Sequence, residues 1–202
     1  GGFVLVELLR MNIGKTLYVS ERKAWRAWLA AHHKAEKEIW LIYYRKGTGK
    51  ARISYDDAVE EALCYGWIDS TLKSLDEERF AQRFSVRKNT SVLSQPNRER
   101  IYRLIAAKKM TKAGLAAIAH VFDPAKDKAG DFVIPPGILA RLKADKDAWR
   151  NFKKFPASYR RIRVAYIESR KRHGRAMFEK ALAHFVAMTA KNKRIGFVKV
   201  GD

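Results

Sequence analysis

At 202 residues, with 47% hydrophobic residues, the chain can form one large or two small domains around a buried core, and no apolar span is long enough to cross a bilayer. The 42 lysine and arginine residues exceed the 21 acidic ones, and the net charge of +21 favours anionic partners, nucleic acid before lipid headgroups, unless it serves solvation alone. The single cysteine excludes an internal disulfide and a cysteine-based zinc site, and it suits a cytoplasmic location.

The chain opens with a segment, residues 1–14, that we expect to be an N-terminal extension. Its apolar stretch GGFVLVELLR lacks the basic start and the small-residue cleavage site of a secretory signal. We therefore expect Met11 to be the natural start.

A helix and a strand are predicted next. Ser20 fits the N-cap of a helix with an aromatic buried face. This face comprises Trp25, Trp28, Leu29 and His32. Residues 38–45, EIWLIYYR, have apolar side chains on both alternating faces, which predicts an interior strand, and the glycines of residues 46–50, KGTGK, predict a turn.

The central stretch, residues 54–94, predicts a capped helix followed by two strands. Ser54 is expected to cap the helix, and Asp57 in the first turn favours the helix dipole. Gly66 is expected to end the helix in a left-handed conformation, after which Trp67 begins a strand. Cys64 lies beside the apolar face of the helix, so we expect it to be buried.

The second of these strands, residues 79–88, is predicted to carry a row of arginines. The alternation places Phe80, Phe84 and Val86 on one face and Arg79, Arg83, Ser85 and Arg87 on the other, while Gln82 interrupts the apolar face. Such a row can hold phosphates or carboxylates through forked hydrogen bonds. The alternative is a solvated strand paired with the acids of residues 75–78.

Helices dominate the rest of the chain, with Thr111 predicted to cap one of them. The proline- and glycine-rich residues 123–137 predict a linker, which divides a core domain, residues 15–122, from a helical domain, residues 138–202. The most basic helix of the second domain is expected to bury Tyr159, Ile162, Tyr166 and Ile167. The patterns together predict an α+β protein in which a small antiparallel sheet is packed with helices and followed by a helical C-terminal segment.

Several of these motifs resemble those of the YdeI/OmpD-associated family, also called bacteriocin-protection proteins. The resemblance runs from about Lys15 to Gly196 and rests on EALCYGWID, residues 61–69, on RFSVRK, residues 83–88, on the PPGILARLKADKDAWRNFKKFPASYRR segment and on the closing NKRIG. The chain departs from the family pattern at Val86, at Leu93 and in the stretch SRKRHGR, residues 169–175.

The resemblance implies a bacterial protein whose family name links it to antimicrobial-peptide tolerance and outer-membrane protein association. It implies a YdhG-like N-terminal α+β domain with an OmpD-associated helical segment behind it, and no established reaction or cofactor. We therefore expect a non-enzymatic stress-tolerance protein that binds an anionic partner, either nucleic acid or another polyanion, or that acts through a protein partner.

The predicted binding surface combines the arginine row with an aromatic and a carboxylate from the motif. Its residues are Trp67, Asp69, Lys73, Arg79, Arg83, Arg87 and Lys88. The alternative is an enzyme of unknown reaction with a pocket at EALCYGWID that uses Glu61, Cys64, Trp67 and Asp69, where a carboxylate beside a thiol supplies acid-base or thiol chemistry. No catalytic residue and no cofactor are predicted, and the five histidines lack metal-site spacing, so no metal is predicted.

Overall fold

A computed structural model describes residues 13–196 of the chain. The predicted extension at residues 1–14 lies outside the described residues, apart from its last two positions. The chain divides into two compact units, and the described part of the first comprises residues 13–93 and 100–123. The second comprises residues 94–99 and 124–196.

The first unit contains a four-stranded sheet. Its strands are β1 (Thr16–Tyr18), β2 (Glu38–Tyr44), β3 (Trp67–Ser74) and β4 (Arg79–Val86), in the spatial order β1-β2-β4-β3. The interior position predicted for β2 is confirmed, because β2 pairs on both sides. The sheet is mixed and not wholly antiparallel, since β1 runs parallel to β2, while β4 is antiparallel to both of its neighbours. Helix α1 makes this parallel crossover possible by returning the chain between β1 and β2.

Four helices accompany this sheet: α1 (Arg22–His32), α2 (Tyr55–Cys64), α3 (Gln95–Ala106), which begins in the second unit, and α4 (Lys112–Ile118). Their apolar faces and one face of the sheet form a single core, because each amphipathic element must bury its stripe against another. Its fully buried large side chains include Trp25, Leu29, Leu41, Trp67, Phe84, Ile101 and Ile118.

The structure confirms the predicted N-cap and C-terminal glycine of α2 but not the predicted N-cap of α1. The Ser54 hydroxyl accepts from the Asp57 amide at 3.1 Å, and Gly66 has φ +77°, so the predicted cap and left-handed stop are confirmed. Ser20 does not cap α1: the N-cap position is Glu21, without a side-chain hydrogen bond. The predicted cap of α4 is confirmed, since the Thr111 hydroxyl accepts from the Gly114 amide at 3.1 Å.

The second unit is helical, with α5 (Pro136–Ala144), α6 (Lys146–Lys154), α7 (Ala157–Ser169), a 3₁₀ turn at Arg170–His173 and α8 (Arg175–Ala190). Asp145 caps α6 by accepting from two of its first amides at 2.9 and 3.0 Å, and the Asn151 side chain donates to the last carbonyls of α8. The core consists of Ile138, Leu142, Phe152, Phe155, Tyr159, Val164, Ile167, Leu182 and Phe185. The predicted α+β class with a helical C-terminal part is therefore confirmed, and no helix in residues 13–196 has the length and apolarity of a membrane span.

Candidate functional site

The two arginines within β4 are paired with carboxylates. Arg79 Nε donates to Asp76 Oδ2 at 2.7 Å, and this hydrogen bond holds the pKa of the Asp76 carboxyl below its ordinary value. Arg83 donates from Nε to Glu38 Oε2 at 2.8 Å and from a second nitrogen to the same oxygen. The alternative, in which the arginines pair with the acids of residues 75–78, therefore holds for Arg79. Arg83 is also paired, but with Glu38 of β2.

Arg87 does not share a face with these arginines, because β4 ends at Val86. Its side chain is 4% exposed and donates to the Val92 carbonyl at 3.1 Å, while its other two guanidinium nitrogens are buried and find no partner in the described part of the chain. Burial lowers the pKa of Arg87. The alternation predicted for residues 79–88 is therefore wrong at its end, where Val86 is exposed and Arg87 is buried.

The remaining predicted binding residues lie in different environments. Trp67 is buried against Trp28 and offers no open ring face for stacking. The Lys73 ammonium lies 5.8 Å from the ring centroid of Trp40, on the opposite side of the sheet from the main core. Lys88 is exposed beyond β4. The structure does not bring the seven predicted residues together on one exposed surface, and a binding role for any of them stays a prediction.

Asp69 lies beside a pocket at the irregular part of β3, where the register with β4 shifts before Leu72. Its Oδ2 accepts from the Tyr55 hydroxyl at 2.8 Å and from Gln82 Nε2 at 3.3 Å. The pocket has a volume of about 430 Å³. It is lined by Tyr43, Arg52, Ile53, Tyr55, Leu72, Phe80 and Gln82.

Two tyrosines give this pocket its polar character. Burial, reinforced by Asp69, raises the pKa of Tyr55 to about 12 and the pKa of Tyr43 above its ordinary value. The Tyr43 hydroxyl is buried and has no hydrogen-bond partner among the described residues. Sequence patterns identified Asp69 but missed Tyr43, Arg52 and Tyr55. The signal that could have found them was Gln82, a polar residue on the apolar face of a strand.

The residues considered for acid-base or thiol chemistry have structural partners. Glu61 is buried and accepts from Arg22 Nε at 2.5 Å and from Arg26 Nη1 at 2.6 Å, so it joins α2 to α1. Cys64 is buried as predicted, and burial raises the pKa of its thiol. A thiol with a raised pKa forms little of the thiolate that nucleophilic chemistry needs. Within residues 13–196 no three acidic, histidine or cysteine side chains cluster as metal ligands would, and the predicted absence of a metal remains a prediction.

A basic and aromatic surface occurs on the second unit, where α7 continues into the 3₁₀ turn. The Arg163 and Arg170 guanidinium groups lie 4.5 and 5.7 Å from the ring centroid of Tyr166, which is 44% exposed and not buried as its helical position predicted. Two further cations, Lys171 and Arg172, are exposed in the turn. We call these five residues the Arg-Tyr surface. Sequence patterns registered the charge of this helix but not its stacking.

Comparison with known proteins identifies two matching segments. Residues 17–117, half of the chain, match a family model described as a domain of unknown function (DUF8412). Residues 131–192 match a model described as bacteriocin-protection, YdeI or OmpD-associated. No curated protein and no solved structure matches the chain. The pocket beside Asp69 falls within the first segment and the Arg-Tyr surface within the second.

Proposed function

Since the chain belongs to the DUF8412 family through residues 17–117 and carries a bacteriocin-protection (YdeI or OmpD-associated) domain at residues 131–192, we propose that it is a non-enzymatic stress-tolerance protein that binds a polyanion through a basic surface. Nucleic acid is the polyanion that its charge favours first. We place the protein in the cytoplasm, where a free thiol such as that of Cys64 stays reduced.

The distribution of charge supports the second unit as the binding part. Residues 124–196 contain 19 lysine and arginine residues and only six acidic ones. Such an excess raises the local concentration of anions and accelerates their association. It also repels cationic peptides, which argues against direct capture of an antimicrobial peptide.

The observation that carries the proposal is the stacking of Arg163 and Arg170 on the ring of Tyr166. Within residues 13–196 neither arginine forms an ion pair, whereas Arg79 and Arg83 of β4 both do. Stacking on a ring restricts a guanidinium group without neutralising its charge, and Nε is the nitrogen of Arg163 that is fully buried and unbonded among the described residues. An anion therefore meets two arginines that need not first release a carboxylate, whereas Lys171 of the same surface is paired with Glu168.

Two further observations support a role in binding rather than catalysis. Glu61 is occupied by two arginines, and the thiol of Cys64 is buried with a raised pKa. Neither group is placed to act on a substrate.

The test is a salt titration of binding to a fluorescently labelled 20-nucleotide single strand, followed by anisotropy. Removing one cation that pairs with a phosphate reduces the slope of log K against log salt by about 0.7, so the double variant R163Q/R170Q should reduce it by about 1.4. The matched control is R79Q/R83Q, which removes the same charge from paired arginines and should leave the slope nearly unchanged.

The outcomes separate the alternatives. Equal reductions in both double variants would mean that only net charge is read, and a reduction confined to R79Q/R83Q would move the site to β4. If the wild-type chain binds neither the single strand nor heparin at about 50 mM salt, the polyanion proposal fails and a protein partner replaces it. The stress role is tested separately, by complementing a deletion strain. The wild-type gene should restore bacteriocin tolerance, and the R163Q/R170Q gene should not.

A further inference from the structure

The pocket beside Asp69 belongs to the first unit and has no part in the polyanion surface. Its volume of about 430 Å³ falls within the range of small-molecule sites. Its apolar walls are formed by Ile53, Leu72 and Phe80. The Phe80 ring stacks on the Tyr43 ring with centroids 5.0 Å apart and planes 3° from parallel, and the Arg45 guanidinium group lies 5.8 Å from the Phe80 centroid, so Phe80 is held in place at the edge of the pocket.

One wall carries a buried polar group without a partner. Tyr43 is 2% exposed, and its hydroxyl makes no hydrogen bond with any residue from 13 to 196. Most buried polar atoms are paired, because an unpaired one loses its hydration without compensation. Phe at this position would fill the same space, so packing alone does not account for the hydroxyl of a residue that lines the pocket. Burial raises the pKa of Tyr43, and the phenol therefore stays protonated and able to donate at neutral pH.

The same pocket contains a cation without a carboxylate. Arg52 lines the pocket and donates from Nη1 to the Tyr44 carbonyl at 3.1 Å, which orients the guanidinium group without neutralising it. Within residues 13–196 Arg52 forms no ion pair, although most other arginines of this unit do. An uncompensated guanidinium group beside an apolar wall favours a carboxylate ligand, which its forked donors fit.

The nearby acid does not compete for this cation. Asp69 accepts hydrogen bonds from Tyr55 and Gln82, and its charge also helps to raise the pKa of Tyr43, while no ion pair joins it to Arg52 among residues 13–196. Tyr55 donates its only proton to Asp69 and can still accept one. A hydroxyl or amino group on a ligand could therefore meet Tyr55, while an anionic group meets Arg52.

From these contacts we propose that the pocket binds a small aromatic carboxylate, whose anionic group pairs with Arg52 and accepts a hydrogen bond from Tyr43 while its ring lies against Phe80. The ligand is a monoanion of low molecular mass, a class different from the polyanion of the second unit. Failure of one binding activity leaves the other intact, because the two use different residues and different units.

The experiment uses benzoate as the probe and benzamide as its neutral isostere, with the full chain, in ligand-observed NMR and calorimetry. Benzoate should bind with a Kd of about 1 mM or below, and benzamide at least about 10-fold more weakly, because it lacks the charge that Arg52 pairs with. Failure of benzoate to saturate the protein by about 10 mM, or equal binding of benzamide, overturns the proposal.

Four variants, one of them a matched control, locate the contacts. R52Q should weaken benzoate binding at least about 10-fold, and Y43F about 5- to 10-fold. K50Q is the matched control: it removes a charge two residues from Arg52, at an exposed lysine paired with Glu78, and should leave the Kd unchanged. R52K provides a second check if R52Q is unstable, since it keeps the charge but loses the fork, and its affinity should fall between those of wild type and R52Q. Equal effects of R52Q and K50Q, or no effect of Y43F, would overturn the assignment.

Discussion

Replacement of Gly66 by alanine tests how α2 ends and β3 begins. Gly66 has φ +77°, a conformation that costs an L-residue about 1–2 kcal/mol. A Cβ at this position would also lie 2.6 Å from the Ala117 Cβ and 3.1 Å from the Ala113 carbonyl oxygen of α4. Overpacking of this kind adds about 1–3 kcal/mol, so G66A should destabilise the first unit by about 3 kcal/mol in total.

Gly49 is the matched control. It has φ +67°, close to that of Gly66, but a Cβ there would meet nothing within 4 Å. G49A should therefore cost only the conformational part, about 1 kcal/mol. The difference between the two variants measures the contact with α4.

The assay is urea unfolding followed by tryptophan fluorescence and circular dichroism, because four of the five tryptophans, Trp25, Trp28, Trp40 and Trp67, report on the first unit. A117G in the G66A background removes the Cβ that the new methyl group would meet, so it should recover part of the lost stability. The recovery is partial because glycine within α4 costs about 1 kcal/mol of its own. Equal effects of G66A and G49A would refute the close approach of α4, and an unchanged midpoint for G66A would refute the left-handed stop.

Three other predictions concern the first unit. Cys64 should react with a thiol reagent at least about 100-fold more slowly in the native protein than in urea, and rapid native labelling would contradict its burial. Tyr55, with a pKa raised to about 12 from an ordinary 10.0, holds its proton in the folded state after the unfolded chain has lost it, so stability should fall between pH 10 and 12. Y55F should reduce that fall and remove ultraviolet titration amplitude near pH 12, and amplitude removed near pH 10 instead would contradict the assignment. E61Q should destabilise the unit by about 2 kcal/mol. The cost is smaller than for a fully buried ion pair, because Arg22 and Arg26 keep contact with solvent. An unchanged unfolding midpoint would show that these ion pairs contribute nothing to stability.

Local sequence patterns were sufficient wherever the controlling contacts lie within a few residues. The caps at Ser54 and Thr111 and the left-handed Gly66 depend on hydrogen bonds and sterics within one helical turn. Continuous apolar character likewise identified β2 as an interior strand, because such a run can be buried only between neighbours. The α+β class follows from these elements.

The candidate sites depend on residues that are distant in the chain, and the sequence pattern contains no information on their pairing. Arg83 pairs with Glu38, which is 45 residues away in the chain. This pairing neutralises an arginine of the predicted row, and the alternation of residues in β4 contains no information on it. Arg87 follows the end of a strand whose last residue alternation could not locate, and its side chain is buried as a result. Similarly, Tyr55 from α2 donates to Asp69, next to the shift in register between β3 and β4, and neither feature is visible in the periodicity of one element. Periodicity specifies the face of one element, whereas a charge or a hydroxyl becomes a site through whichever other element the fold places against it.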